Sequence, residues 1–180
     1  MVLTTKLYTA EDLWAMPGDE PWELWQGELR TVPSAGGEAS GIAMIIGSIL
    51  VGFARKLGWI TGADGTYVLS RNPDTTVVPD VAFTRWDRLP DGKAPRKYIP
   101  VAPDLAVEVQ SPSDEPGDMA EKRRLYVRFG VPLVWWIDPV KRTATVYPLG
   151  REPFVLTETD VLDGGEVLPG LRIPVAEIFG

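Results

Sequence analysis

The 180-residue chain contains no cysteine and no histidine. Without cysteine there are no disulfides, thiolate zinc sites, iron–sulfur clusters or thiol nucleophiles. Without histidine there is no Ser-His-Asp triad, no HExxH zinc site and no imidazole base. Any chemistry the chain performs must run on carboxylates, lysine, tyrosine, serine or a metal held by oxygen. Long apolar runs are scarce as well. The most apolar, Gly41 to Ala54, is uncharged over fourteen residues, short of the ~20 that span a bilayer as a helix. A buried core helix is the better reading. The start, Met1-Val-Leu-Thr-Thr-Lys6, shows neither the apolar segment nor the cleavage site of an export signal, so the expected location is cytoplasmic.

What is present has the balance of a globular protein, 44% apolar and 24% charged residues. The length suits a single domain over residues 1–180 with a core of its own. Eighteen basic and 25 acidic residues give a net charge of −7, which argues weakly against a nonspecific nucleic-acid coat protein. The charge is uneven, however. Residues 1–29 carry −5 and residues 151–180 carry −4, whereas residues 30–150 carry +2. Within that middle part, Arg85 to Lys97 holds five basic residues against Asp87 and Asp91. Such a run can track a phosphate backbone, and it directly follows the strand of Asp80, which would put the contacts near that residue. A solvated loop is the more ordinary reading.

Thr9-Ala-Glu-Asp12 reads as a capping box that opens a short helix through Met16, stopped by Pro17-Gly18. Trp22 to Val32 alternates around Gln26-Gly27, as a β-hairpin does. From Glu38 to Leu57, Ile42, Ile45, Ile46, Ile49, Leu50, Phe53 and Leu57 recur at helical spacing, and Gly58 supplies a stop. Strands are expected at Gly65–Leu69, Thr76–Phe83 and Leu105–Val109. A helix capped by Ser113 or Asp114 should run from about Gly117 to Phe129, ended by Gly130. Leu133–Ile137 reads as a fully apolar strand, and Thr143–Tyr147 and Phe154–Thr157 as outer antiparallel strands. The order predicts an α/β fold with a mixed sheet flanked by helices.

Three charges break these local patterns. Glu108 shares a strand face with Ala106 and Gln110, opposite Leu105, Val107 and Val109. Asp80 interrupts the run Val77-Val-Pro-Asp-Val-Ala-Phe83. Lys122 lies three, four and seven residues from Met119, Tyr126 and Phe129, on the apolar stripe of its helix, and therefore points toward the sheet. Buried carboxylates are costly unless paired or bound to metal. Asp80 and Glu108 can hold Mg²⁺, which takes carboxylates and water in octahedral geometry. Lys122 can then position a water or offset charge in the transition state, and Gln110 can hydrogen-bond that water or a phosphate oxygen. Read singly, each residue has a structural alternative: a strand-ending Asp80 and an ion pair between Glu108 and Lys122. The seven tryptophans are core aromatics first and base-stacking surfaces second. Trp135 and Trp136 fall on opposite strand faces, one toward the core and the other toward a helix or a dimer contact.

At these residues the sequence resembles the Uma-two family of the PD-(D/E)xK nuclease superfamily. The matching segments are Trp22 to Leu29, Val78-Pro-Asp-Val-Ala-Phe83 and Ala102 to Asp114, followed by Lys122, Tyr126, Gly130-Val131, Trp135-Trp-Ile-Asp-Pro139 and Leu168-Pro-Gly-Leu171. The resemblance implies a restriction-endonuclease-like mixed β-sheet core flanked by helices, with an N-terminal β-hairpin and additional antiparallel strands. It implies Asp80, Glu108 and the Val109 backbone carbonyl as metal ligands, with Mg²⁺ as cofactor and Mn²⁺ as a substitute. The lysine usual two residues after the acid is replaced by Gln110, and Lys122 on the next helix takes that role. A histidine common near the start of the first long helix is replaced by Ala39 or Ser40. Glu28, in the Gln-Gly-Glu-Leu hairpin, is a further candidate acid, equally readable as an exposed hairpin glutamate. The implied activity is hydrolysis of nucleic-acid phosphodiester bonds, with DNA as the expected partner and a homodimer as the expected assembly for cutting two strands. The alternative is a catalytically silent nuclease-fold module that binds nucleic acid or a protein partner.

Overall fold

The computed structural model describes residues 6–18 and 21–180; all but Lys6 of the Met1–Lys6 segment, whose sequence bears on export, lies outside them. Thr9 caps helix α1 (Ala10–Ala15), with its side chain bonded to the Asp12 N–H and the Asp12 carboxylate reaching back to the Thr9 N–H. The capping box thus forms as the sequence predicts. Strands β1 (Trp22–Trp25) and β2 (Glu28–Thr31) make the N-terminal hairpin. Gln26 and Gly27 both adopt positive φ at its turn, matching the turns that follow strand twist.

Helix α2 (Gly37–Ala54) buries one stripe, Ala39, Ile42, Ile46, Leu50 and Ala54. Its other face leaves Met44, Ile45, Val51 and Phe53 exposed. It is a core helix, as the sequence predicts, but on one stripe only: at 18 residues it is long and apolar enough to cross a membrane by composition, and that stripe seats it on the sheet. Gly58 is not the helix stop expected of it, since α2 already ends at Ala54 with Arg55 as its C-cap. It opens strand β3 (Gly58–Gly62), where a Cβ would stand 2.2 Å from the Thr84 carbonyl oxygen. Only glycine lets the two backbones come this close.

Strands β4 (Tyr67–Ser70) and β5 (Thr75–Val77) join the hairpin in a four-stranded sheet of order β2-β1-β5-β4. Strand β6 (Val81–Arg85) belongs to a different, six-stranded sheet. The single strand expected over Thr76–Phe83 is thus two strands in two sheets. Pro79 is the cause: it offers no N–H to a ladder and fixes its own φ.

The large sheet has the order β10-β9-β8-β7-β6-β3. Its centre is a βαβ unit of β7 (Leu105–Val109), α3 (Pro116–Arg128) and β8 (Leu133–Asp138), the two strands running parallel. Strands β9 (Thr143–Pro148) and β10 (Phe154–Leu156) extend one side antiparallel. Helix α3 starts with Pro116, whose ring presets the first helical turn, and its N-cap Glu115 makes no side-chain cap. Ser113 and Asp114 do not cap it; Asp114 instead accepts the Ser111 N–H at 2.8 Å.

Alternation along β7 separates two cores. Leu105, Val107 and Val109 face α2 together with Trp135 and Ile137. Ala106 and Trp136 face Leu125 and Tyr126 of α3, with Trp25 and Val77 of the small sheet behind them. Both tryptophans of β8 are accordingly internal, one in each core. A short hairpin, β11 (Val161–Asp163) with β12 (Arg172–Pro174), and helix α4 (Val175–Ile178) close the α2 side. Leu162, Leu168, Ile173 and Ile178 are buried there, so the C-terminal segment is core and not a loose tail.

Candidate active site

The α3-facing core carries charge at one end. Glu108 lies on the same face of β7 as Ala106 and is buried. Lys122, on the inward stripe of α3, has its Nζ 2.9 Å from Glu108 Oε1. The same Nζ is 2.9 Å from Oε1 of Glu23, which reaches in from β1. It also donates to the Val78 carbonyl at 3.0 Å. An ammonium has three hydrogens, and three residues take them. Tyr126, one turn further along α3, donates its hydroxyl to Glu108.

Glu23 is fixed from its other sides as well. The Val78 N–H donates to it at 2.8 Å and the Trp25 indole N–H at 2.9 Å. Asp80 follows Val78 and Pro79, and its Oδ2 accepts the Val109 N–H at 2.7 Å. The β6–β7 register pairs Val81 with Val107, and its continuation would set Pro79 opposite Val109. Proline has no N–H to give there. The Val109 carbonyl leaves the strand on the same side as its N–H, beyond the last β6–β7 pair, Val81 with Val107.

Burial pushes the Glu108 carboxyl up to about 8, against the pull of Lys122. Asp80 is also raised by burial, opposed by its bond from the Val109 N–H and by the Lys122 charge. Burial works against the Lys122 ammonium, but Glu108 and Glu23 outweigh it and hold the lysine protonated. Burial, then the neighbouring Glu108 charge, keeps the Tyr126 hydroxyl protonated. Three carboxylates therefore share one ammonium, and the surplus negative charge calls for a proton or a cation.

The candidate donors to a cation are the Asp80 carboxylate, the Glu108 carboxylate and the Val109 carbonyl. All are hard oxygens, and two carboxylates with water completing the shell suit Mg²⁺. Glu23 is left out of the set because the Val78 and Trp25 N–H groups fix it from the small sheet, whereas Glu108, bonded to Lys122 and Tyr126, must exchange one of those donors for a cation. Consistent with this, no three acidic side chains among the described residues stand close enough to enclose an ion by themselves. These residues line one pocket of about 200 Å³ at the seam between the two sheets, which Gln110 and Arg30 also line.

A family model described as a putative restriction endonuclease, Uma2, matches residues 10–176. The chain belongs to the Uma2 family. Its fold is also that of a solved structure, described as a putative nuclease belonging to DUF820 from Anabaena variabilis. The two superpose with a TM-score of 0.80 at 20% identity, over 95% of this chain and 97% of the other. No curated protein matches the sequence.

Within this Uma2 fold, Asp80, Glu108 and Lys122 come together as their misplaced charges imply. Gln110 joins them at the end of β7, its backbone N–H held by the Ile137 carbonyl at 2.9 Å. Glu28 does not line the pocket. It sits opposite Trp25 on the outer strand β2, exposed, with its carboxylate 3.4 Å from Arg30. Ala39 is in the α2 core and Ser40 is exposed, so neither meets the pocket.

The basic run does not lie beside Asp80. Strand β6 carries the chain away from Asp80 for five residues, ~16 Å at strand rise, before Arg85 and Arg88. Arg85 pairs with Asp87 at 3.1 Å, and Arg88 with Asp104 at 2.8 Å. Lys97 lies over the Trp14 ring. Two site residues escaped the sequence reading. Tyr126 was legible four residues beyond Lys122 on one stripe, whereas Glu23 was legible only as an acid on the face of Trp25.

Proposed function

We propose that this Uma2 chain is a divalent-cation-dependent nuclease that hydrolyses phosphodiester bonds in DNA. The observation that carries the reading is the meeting of Asp80, Glu108, the Val109 carbonyl and Lys122 in one pocket of a fold shared with a solved structure described as a putative nuclease. The family description, restriction endonuclease, points to DNA as the polymer. Mg²⁺, or Mn²⁺ in its place, would be held by Asp80, Glu108 and the Val109 carbonyl and would supply Lewis-acid polarisation and acidified water. Glu23 and Glu108 keep Lys122 charged and aimed, so that it offsets negative charge growing on the phosphoryl group. Lys122 reaches substrate by exchanging one of its three present acceptors. Gln110, which lines the same pocket, would hydrogen-bond the attacking water or a phosphate oxygen through its carboxamide. Action in the cytoplasm, and by two copies on the two strands of a duplex, belongs to the same proposal.

The test is cleavage of plasmid and oligonucleotide DNA with Mg²⁺ or Mn²⁺ by the wild type and by Asp80→Asn, Glu108→Gln and Lys122→Met, each checked for folding by thermal melting. Activity in the wild type and its loss in folded variants supports the site; equal activity in all four overturns it. A second reading rests on the complete engagement of the Lys122 hydrogens, which equally suits a nuclease-fold module that binds nucleic acid or a protein partner without cutting. Calorimetric titration with Mg²⁺ separates the two, since the module predicts no heat of binding at an intact fold.

A further inference from the structure

The pocket is lined by six carboxylates, those of Glu23, Asp80, Glu108, Asp114, Glu115 and Asp118, against two cations, Lys122 and Arg30. Lys122 is half-buried, and its hydrogens are engaged by Glu108, Glu23 and Val78. Arg30 stands at the solvent end of the same wall. Register pairs it directly with Glu23, so the two side chains share a sheet face, with Arg30 one strand further out. Its guanidinium carbon lies 5.2 Å from the centre of the Trp25 ring. Its only carboxylate neighbour among the described residues is exposed Glu28, at 3.4 Å, too long for a strong charge-assisted bond. A guanidinium placed against an aromatic face keeps its edge donors directed outward.

We infer that Arg30 is the phosphate-contacting residue of the substrate strand, binding a non-bridging oxygen of a backbone phosphate next to the one at Asp80 and Glu108. The inference rests on the nuclease reading above for the identity of the ligand. A polyanion approaching six carboxylates is repelled, and a cation at Asp80 and Glu108 relieves that only at the scissile phosphate. The adjoining phosphate needs its own counter-charge, and Arg30 is the pocket-lining cation whose donors face solvent. Glu28 holds the guanidinium until phosphate replaces it. No chemistry at the reacting atoms is assigned to Arg30.

Binding of a fluorescein-labelled duplex oligonucleotide, followed by anisotropy across a salt series, tests this in the Asp80→Asn background, where no strand is cut. Adding Arg30→Ala should weaken binding about five- to tenfold and flatten the slope of log K against log salt by about 0.9, the value of one phosphate contact. Arg30→Lys should keep the slope with part of the affinity, because a point charge replaces the fork. Glu28→Gln should tighten binding, since it releases Arg30. A slope unchanged by Arg30→Ala overturns the inference, as does failure of the parent protein to bind DNA at all. Loss of slope in Arg30→Ala alongside a wild type that cuts nothing in Mn²⁺ upholds the contact and overturns the nuclease reading instead.

Discussion

Glu23 Oε1 lies 2.9 Å from Lys122 Nζ, joining the small sheet to the helix that crosses the large one. Lys122 meets Glu108 of the large sheet at the same distance, so a single ammonium ties the two sheets together. Glu23→Gln leaves the lysine one buried carboxylate and should cost about 1–3 kcal/mol. Lys122→Met leaves two buried acids without their cation and should cost about 3–5 kcal/mol. In the double variant the losses should fall short of additivity by about 0.5–3 kcal/mol. Urea unfolding followed by tryptophan fluorescence measures all three; strict additivity would show that the two side chains do not interact.

Pro79 withholds an N–H from the Val109 carbonyl, and alanine there would restore it. Pro79→Ala should therefore close the ladder by one hydrogen bond with little loss of stability. Mn²⁺ affinity, measured by calorimetry, should fall on the order of tenfold. Unchanged affinity would remove the carbonyl from the proposed ligand set.

Gly58 faces the Thr84 carbonyl with no room for a side chain. Gly58→Ala should destabilise by at least the ~1–3 kcal/mol usual for overpacking, because the obstruction is backbone. Gly52, with nothing near its Cβ position on α2, serves as the control. Gly52→Ala should stabilise by roughly 0.5–1 kcal/mol through helix propensity, and thermal melts of the pair would show opposite signs.

Glu11 docks α1 through Arg71 at 2.8 Å and through the Tyr98 hydroxyl. Those two bonds, Arg71 first, bring its carboxyl down from 4.5 to about 2. A lowered folded-state value means that the contribution is complete above 4.5 and disappears as pH falls through 2. The contact is largely exposed, so the effect is small. Urea midpoints of wild type and Glu11→Gln should differ at pH 7 and converge as pH approaches 2; a constant difference would contradict the assignment.

Much of this was readable from local pattern. The alternation of Leu105 to Val109 placed Glu108 opposite the apolar set, and helical spacing turned Lys122 toward it. These signals work because each residue conflicts with its own strand or helix. Glu23 creates no such conflict. In Trp22-Glu-Leu-Trp25 the apolar residues occupy both faces, so alternation alone does not say which face is covered, and the docking of β1 against α3 decides. The separation of β5 from β6 is local in cause, at Pro79, but which sheet each half joins is a long-range matter. The three-residue strands β11 and β12 are too short to carry a period, and Leu162 and Ile173 become core only through packing on α2.

The passage of the chain from one sheet to the other within Val78, Pro79 and Asp80 has a dynamic consequence. Asp80 takes its orientation from the large sheet, Glu23 from the small one, and three residues of backbone connect the two frames. A breathing motion that parts the sheets would pull the acids away from Lys122 while leaving the α2 core intact, as sub-global openings do. Heat or denaturant should then silence the pocket, and disturb Trp25 and Trp136 beside it, before the α2 core that holds Trp135 gives way. Slow amide exchange at Val78 and Val109, whose N–H groups are held by Glu23 and Asp80 across that seam, would be the measure of how long the site stays assembled.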